Sequence, residues 1–276
     1  MRLATLRTPS GTRAVRVDDD ALVELDAPDL GAWLARPDWR ERTATASGRR
    51  RPVEGARFAP LVPQPSKVIC VGLNCRRHIE EMGRPLPTFP TLFTKFADSL
   101  TGAGDPLARP VETDQFDWEG ELVVVVGAEV RRADGEAAAA AIAGFSVAND
   151  ATCRDWQNRT NEWMQGKNGE SSTPVGPWLV TPDELPGGVR PACRITTEVN
   201  GVVVQDDTTA DLVFDPVALV AYASTIVRLR PGDLILTGTP GGVGHARRPP
   251  RYLAVGDVVS VSIEGVGRQV NPVVAG

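Results

Sequence analysis

The aliphatic run Leu122-Val123-Val124-Val125-Val126 follows directly on Asp117-Trp118-Glu119-Gly120-Glu121. β-Branched residues pack well on a pleated surface, so the run reads as a strand buried on both faces. Side chains alternate along a strand, which places Glu119 and Glu121 on one face at its entrance. A second apolar run, Ala143-Gly144-Phe145-Ser146-Val147-Ala148-Asn149, reads as another short strand and ends in the carboxylate Asp150. Val68-Ile69-Cys70-Val71-Gly72 reads as a third buried strand, followed by a helix-like stretch from His78 to Gly83.

The remaining pattern is strand-dominated. Leu3 to Val17 predicts a hairpin around Ser10-Gly11, and Asp29 caps a short helix containing Leu30, Trp33 and Leu34. A stretch rich in Thr, Arg, Gly and Pro, ending at Pro60, Pro63 and Pro65, reads as a linker. Asp134 to Ala143 predicts an alanine-rich helix with Gly144 just past its end. Asp215 to Val227 predicts another, with Asp215 as N-cap and Pro216 in the first turn. Asn200-Gly201 marks a hairpin turn, and Leu234 to Leu236 and Val258 to Val261 read as strands. Strands without regular helical crossovers predict a mixed α+β, β-rich fold, a roll or barrel and not a doubly wound sheet. The change of texture near the prolines divides the chain into a small N-terminal domain, 1–62, and a larger domain, 63–276.

With 276 residues and a net charge of −5, the chain can bury a large core and is poorly suited to nucleic acid. Its one basic run, Arg49-Arg50-Arg51, reads as a solvated loop. No apolar stretch is long enough to span a bilayer, and the N-terminus lacks the apolar core of a signal peptide. Cys70, Cys75, Cys153 and Cys193 have no C-x-x-C spacing and read as reduced packing residues, so a cytoplasmic protein without membrane partners is expected. Only two histidines occur, His78 and His245, which excludes a zinc-binding H-E-x-x-H helix. The glycine-rich segment from Gly238 to Gly244 lacks the Lys-Ser/Thr of a phosphate loop, so a nucleotide enzyme is not expected.

Two glutamates on one face of a buried strand end repel each other and are costly to desolvate. A divalent cation relieves both problems, and oxygen ligands suit Mg²⁺, Mn²⁺ or Ca²⁺. Alone, the pair also fits a solvated strand end. Asp150 at the end of the second strand supplies a plausible third ligand.

Several segments together resemble the fumarylacetoacetate hydrolase family, from about Lys67 to the C-terminus. They are Val71-Gly72-Leu73-Asn74 followed by His78-x-x-Glu81, then Asp117-Trp118-Glu119-Gly120-Glu121-Leu122, and Ala148-Asn149-Asp150 with Arg154-Asp155. Gln165-Gly166-Lys167 and Leu236-Thr237-Gly238-Thr239-Pro240-Gly241-Gly242-Val243-Gly244 complete the set. The resemblance implies a catalytic domain of mixed β-roll or barrel form behind a small N-terminal domain. It also implies a homodimer and an Mg²⁺ or Mn²⁺ site made by Glu119, Glu121 and Asp150. His78 would be a general base oriented by Glu81 on a lid, and Lys167 a further catalytic residue that binds substrate. Arg154, Gln157 and Thr239 would line the substrate pocket.

The reaction implied is hydrolysis of a C–C bond in a small 1,3-diketo acid of the acylpyruvate or fumarylpyruvate type. Water deprotonated by His78 attacks the acyl carbonyl, and a pyruvate enolate leaves with its charge stabilised by the cation. Oxaloacetate decarboxylation, or isomerisation of an unsaturated keto acid, uses the same enolate and is the alternative. A non-catalytic scaffold of the same fold is disfavoured by the retention of every ligand together with His78, Glu81 and Lys167. Cys75 departs from the tyrosine common in relatives; it either widens the pocket or is silent, and it bears on substrate identity more than on reaction class. His245, beside Arg247 and Arg248, reads as a surface residue.

Overall fold

The strand Gly120–Val126 is buried along its whole length, as its aliphatic run requires. In the computed structural model, which describes residues 1–81 and 83–276 and only the backbone of Glu81, it lies near the middle of an 11-stranded sheet. It pairs antiparallel with Ile142–Asn149 on one side and Leu234–Leu236 on the other. Leu234–Leu236 in turn runs parallel to Val68–Gly72, and Thr91–Lys95 closes that edge. On the other side the sheet continues through Thr173–Val180 to the N-terminal strands Arg2–Thr8, Gly11–Val17, Ala21–Glu24 and Arg50–Pro52.

Alternation along Gly120–Val126 feeds two cores. Leu122, Val124 and Val126 point towards a second, five-stranded sheet and pack with its Val199, Val259 and Val261, and with Leu219 and Val220 of the helix Pro216–Ile226. Val123 and Val125 point the other way and share a core with Leu3, Leu30 and Trp33. Each such fully buried aliphatic side chain contributes roughly 1.5–3 kcal/mol relative to exposure. The site described below lies at one end of this second face.

The architecture is mixed α+β and sheet-dominated, as the sequence pattern predicts. Asp29 caps Leu30–Leu34, Asp215 caps Pro216–Ile226, and Asn200-Gly201 turn with φ of 54° and 77° between Arg194–Val199 and Val202–Thr208. Two local expectations fail. The helix begun by Asp134 stops at Ala140, and Ile142 already opens the next strand. Gly144 is therefore a strand residue and not a cap, and a Cβ there would lie 2.3 Å from the Val180 carbonyl. The basic run is no loop either: Arg50–Pro52 is an edge strand, where Arg50 pairs with Asp18 and Arg51 with Glu24. Arg2 and Leu3 face Val180 and Leu179 in register, so the N-terminal strands continue the main sheet. Among the described residues, no helix is long and apolar enough to cross a membrane.

Candidate active site

Strand register assembles the three carboxylates. Gly120 faces Asn149 and Glu121 faces Ala148. One step outward, the Asp150 N–H donates to the Glu119 carbonyl at 2.8 Å. Glu119 and Asp150 therefore stand opposite each other on the face that also carries Glu121. A one-residue slip would turn Asp150 to the opposite face. As paired, one oxygen from each of Glu119, Glu121 and Asp150 lies within 4.8 Å of the others, and all three residues are buried. That donor set matches the hard oxygen ligands of a divalent ion.

Cations surround the cluster. Lys167 Nζ lies 2.7 Å from Glu119 Oε2 and 2.8 Å from Asp150 Oδ2. Lys95 Nζ lies 2.6 Å from Asp150 Oδ1. Arg154 donates from Nε to Asp117 at 2.8 Å, and its Nη2 lies 2.7 Å from Glu119 Oε1 as an ion pair without hydrogen-bond alignment. Burial alone would lower the Lys167 pKa, but the Asp150 and Glu119 charges more than offset it, and the ammonium is held.

Glu121 is the exception. Among the described residues it has no cationic partner within ion-pair distance, and its Oε2 accepts the Gly238 N–H at 2.7 Å. Burial first, then the neighbouring Asp150 and Glu119 charges, push its pKa well above the usual carboxylate range. A buried ligand whose charge the chain leaves unbalanced is what a divalent cation would neutralise, so the donor set fits such an ion. Gly238 is positioned for this contact at φ 101°, where a Cβ would come within 2.9 Å of the Val71 carbonyl.

The cluster opens onto a cavity of about 260 Å³ lined by His78, Arg154, Gln157, Lys167, Thr239 and His245, among others. Trp163 packs edge-on against Phe93 and lies so close to Gly72 that a Cβ there would meet its ring at 2.2 Å. These residues form an apolar wall facing the charged floor. A wider chamber of about 710 Å³ adjoins it, sharing His78, Arg84, His245 and Ala246 and adding Arg248.

The expected site residues therefore converge. His78 stands on Arg76–Glu81, whose base is tied down by Asn74 hydrogen bonds to Thr237 and Phe214. The Glu81 side chain, expected to orient it, lies outside the described residues. Arg154 and Gln157 share the single turn Arg154–Gln157 and are joined by a 3.1 Å hydrogen bond. Thr239 accepts from Gln205 Nε2 and donates to the Gly120 carbonyl, bracing the strand as well as lining the cavity.

Cys75 is buried in a separate crevice with Leu122 and Ile195, away from the cavity. His245 is exposed, as a surface residue should be, but it also lines the cavity, and its Nδ1 lies 2.9 Å from the Tyr252 hydroxyl. The sequence reading also missed Lys95 and Asp117. Asp117 carried a signal, because alternation places it on the face of Glu119 and Glu121. Its carboxylate accepts the N–H groups of Gly244 and His245 and so anchors the glycine segment to the site. Lys95 carried none.

A family model described as fumarylacetoacetate (FAA) hydrolase C-terminal matches residues 67–274. The chain belongs to the fumarylacetoacetate hydrolase family. Members of this family are enzymes, generally dependent on a divalent metal. Among curated relatives, the human mitochondrial oxaloacetate tautomerase FAHD2A is 43% identical over 221 residues, covering 79% of this chain and 69% of the relative. Among solved structures, the fumarylacetoacetate hydrolase EaFAH from psychrophilic Exiguobacterium antarcticum superposes with a TM-score of 0.89 at 32% identity, over 100% of both chains. A 5-carboxymethyl-2-hydroxymuconate delta-isomerase from Mycobacterium smegmatis superposes with a TM-score of 0.82 at 33% identity, over 100% of this chain and 99% of that one.

Proposed function

We propose that this chain is an enolising enzyme dependent on Mg²⁺ or Mn²⁺, interconverting the keto and enol forms of a small 2-keto diacid of the oxaloacetate type. The observation that carries the reading is the buried Glu119–Glu121–Asp150 donor set opening onto a cavity that also holds a histidine, with cations at its floor. The names of the tautomerase and isomerase relatives support it. When bound, the ion supplies Lewis acidity to negative charge developing on a keto oxygen. Lys167 and Arg154, held at the floor by their carboxylate partners, are the groups that would pair with a substrate carboxylate. Phe93 and Trp163 exclude water from one side. His78 holds or moves a proton at the reacting group.

C–C hydrolysis of an acylpyruvate is the second reading. It is favoured by the outer chamber, which leaves room for an acyl group, and by His78 at the boundary, where it can take a proton from water. Oxaloacetate decarboxylation passes through the same enolate. The purified protein with Mg²⁺ should be assayed side by side for oxaloacetate enol formation, CO₂ release and cleavage of acylpyruvates. Enol formation as the fastest reaction supports the proposal. Cleavage of acylpyruvates without enolisation of oxaloacetate would replace it with the hydrolase.

A further inference from the structure

Both histidines of the chain line the same cavity and the chamber outside it. They arrive there independently, His78 on Arg76–Glu81 and His245 on the turn Gly244–Ala246. His245 is placed with care. Its backbone N–H donates to Asp117 Oδ2 at 3.0 Å, on the same carboxylate that holds Arg154. Its ring lies 6.3 Å from that of Tyr252, with Nδ1 2.9 Å from the hydroxyl. With Nδ1–H donating to the Tyr252 hydroxyl, the ring takes the tautomer whose Nε2 lone pair is left to meet a reactant.

We propose that His245 is a second proton-transfer residue of this site, its Nε2 exchanging a proton with the carbon of the keto acid while Tyr252 holds Nδ1. The proposal rests on the enolisation reading. In the step, the C–H bond next to the keto group breaks and its electron pair forms the C=C bond, while the C=O π pair moves onto oxygen. The proton goes to Nε2. Water protonates the enolate oxygen, and the hydroxide left behind recovers a proton from the imidazolium, so that water and imidazole are both regenerated and nothing is consumed.

The surroundings favour a neutral imidazole that can accept. Burial, then the Arg154 charge, lower the His245 pKa below its ordinary 6.5; Asp117 opposes this and Arg248 adds to it. Tyr252 is held in its neutral hydroxyl form, chiefly by burial. His78 and Arg84 face the same space across the cavity. The Lys167 and Arg154 cations are tied to carboxylates and are not available as proton acceptors, whereas an imidazole is suited to that role.

The test is His245→Gln. It preserves the backbone N–H that anchors Asp117, so the carboxylate network should survive. Followed by enol absorbance with oxaloacetate and Mg²⁺, kcat for keto–enol interconversion should fall at least ~10²-fold. KM, Mg²⁺ affinity by calorimetry and melting temperature should hold. Free imidazole should restore turnover to His245→Ala, a rescue that a structural role would not show. Tyr252→Phe should cost less and displace the acidic limb of the pH profile. Wild-type kcat in His245→Gln overturns the proposal and leaves the enolisation reading standing. So does a loss that tracks Mg²⁺ affinity, or failure of imidazole to rescue. A wild-type protein that enolises no keto acid fails that reading itself, and the proposal with it.

Discussion

Lys95 Nζ lies 2.6 Å from Asp150 Oδ1, with both side chains fully buried. Burial would raise the Asp150 pKa, but Lys167 and Lys95 together override it and hold the carboxyl below its ordinary range. Lys95 therefore sets the charge of a metal-ligand candidate from the side opposite Lys167. Removing one partner of a buried ion pair typically costs 3–5 kcal/mol. Because Lys167 remains on Asp150, Lys95→Met is expected to destabilise the metal-free protein by about 3 kcal/mol in urea unfolding. The double variant Lys95→Met with Asp150→Asn should lose less than the sum of the single losses. Strict additivity would show that the two groups are not coupled.

Glu119→Gln, Glu121→Gln and Asp150→Asn are each expected to abolish turnover while leaving a folded protein. Each removes a hard anionic donor, and the charge stabilisation an ion supplies is worth several kcal/mol. Calorimetric titration with Mg²⁺ should show binding by the wild type and little or none by the variants. Undiminished activity after exhaustive EDTA treatment would rule out the metal site.

Glu121 makes the metal-free protein sensitive to pH in a defined direction. Its folded pKa is raised, so its contribution to stability is fully present below its ordinary value of 4.5 and is lost as pH rises through the elevated folded value. With EDTA, melting temperature should fall over that rise. With saturating Mg²⁺ the fall should be suppressed, because the ion replaces the proton. Glu121→Gln should flatten the metal-free curve. An EDTA curve identical in wild type and Glu121→Gln would refute the assignment.

Gly238→Ala tests the backbone support of the same ligand. Its φ of 101° and the Val71 carbonyl 2.9 Å from a built Cβ leave no room for alanine. Strain of this kind costs of order 1–3 kcal/mol. Because the Gly238 N–H donates to Glu121, Mg²⁺ affinity should weaken together with thermal stability. A variant that binds Mg²⁺ as tightly as the wild type would show that this hydrogen bond does not position the carboxylate.

Sequence alone determined what depends on backbone periodicity and local hydrogen bonding. The aliphatic run made Gly120–Val126 a strand buried on both faces, and alternation put Glu119 and Glu121 on one side of it. Asp29, Asp134 and Asp215 capped their helices because a short polar side chain reaches the free N–H groups of its own first turn. The motif segments identified the family and several of the residues that line the cavity, His78, Glu119, Glu121, Arg154, Gln157, Lys167 and Thr239 among them. Tertiary structure alone decided the register that sets Asp150 against Glu119, the arrival of Lys95 from 55 residues away, and the tie of His245 to Asp117 across 128 residues. Those contacts depend on strand order and on a glycine segment folding back over the site, and no local pattern encodes the distance between two strands separated by crossovers. Lys95 carries no local signal and His245 reads only as a surface residue, because their partners lie far along the chain and become neighbours only when the sheet closes.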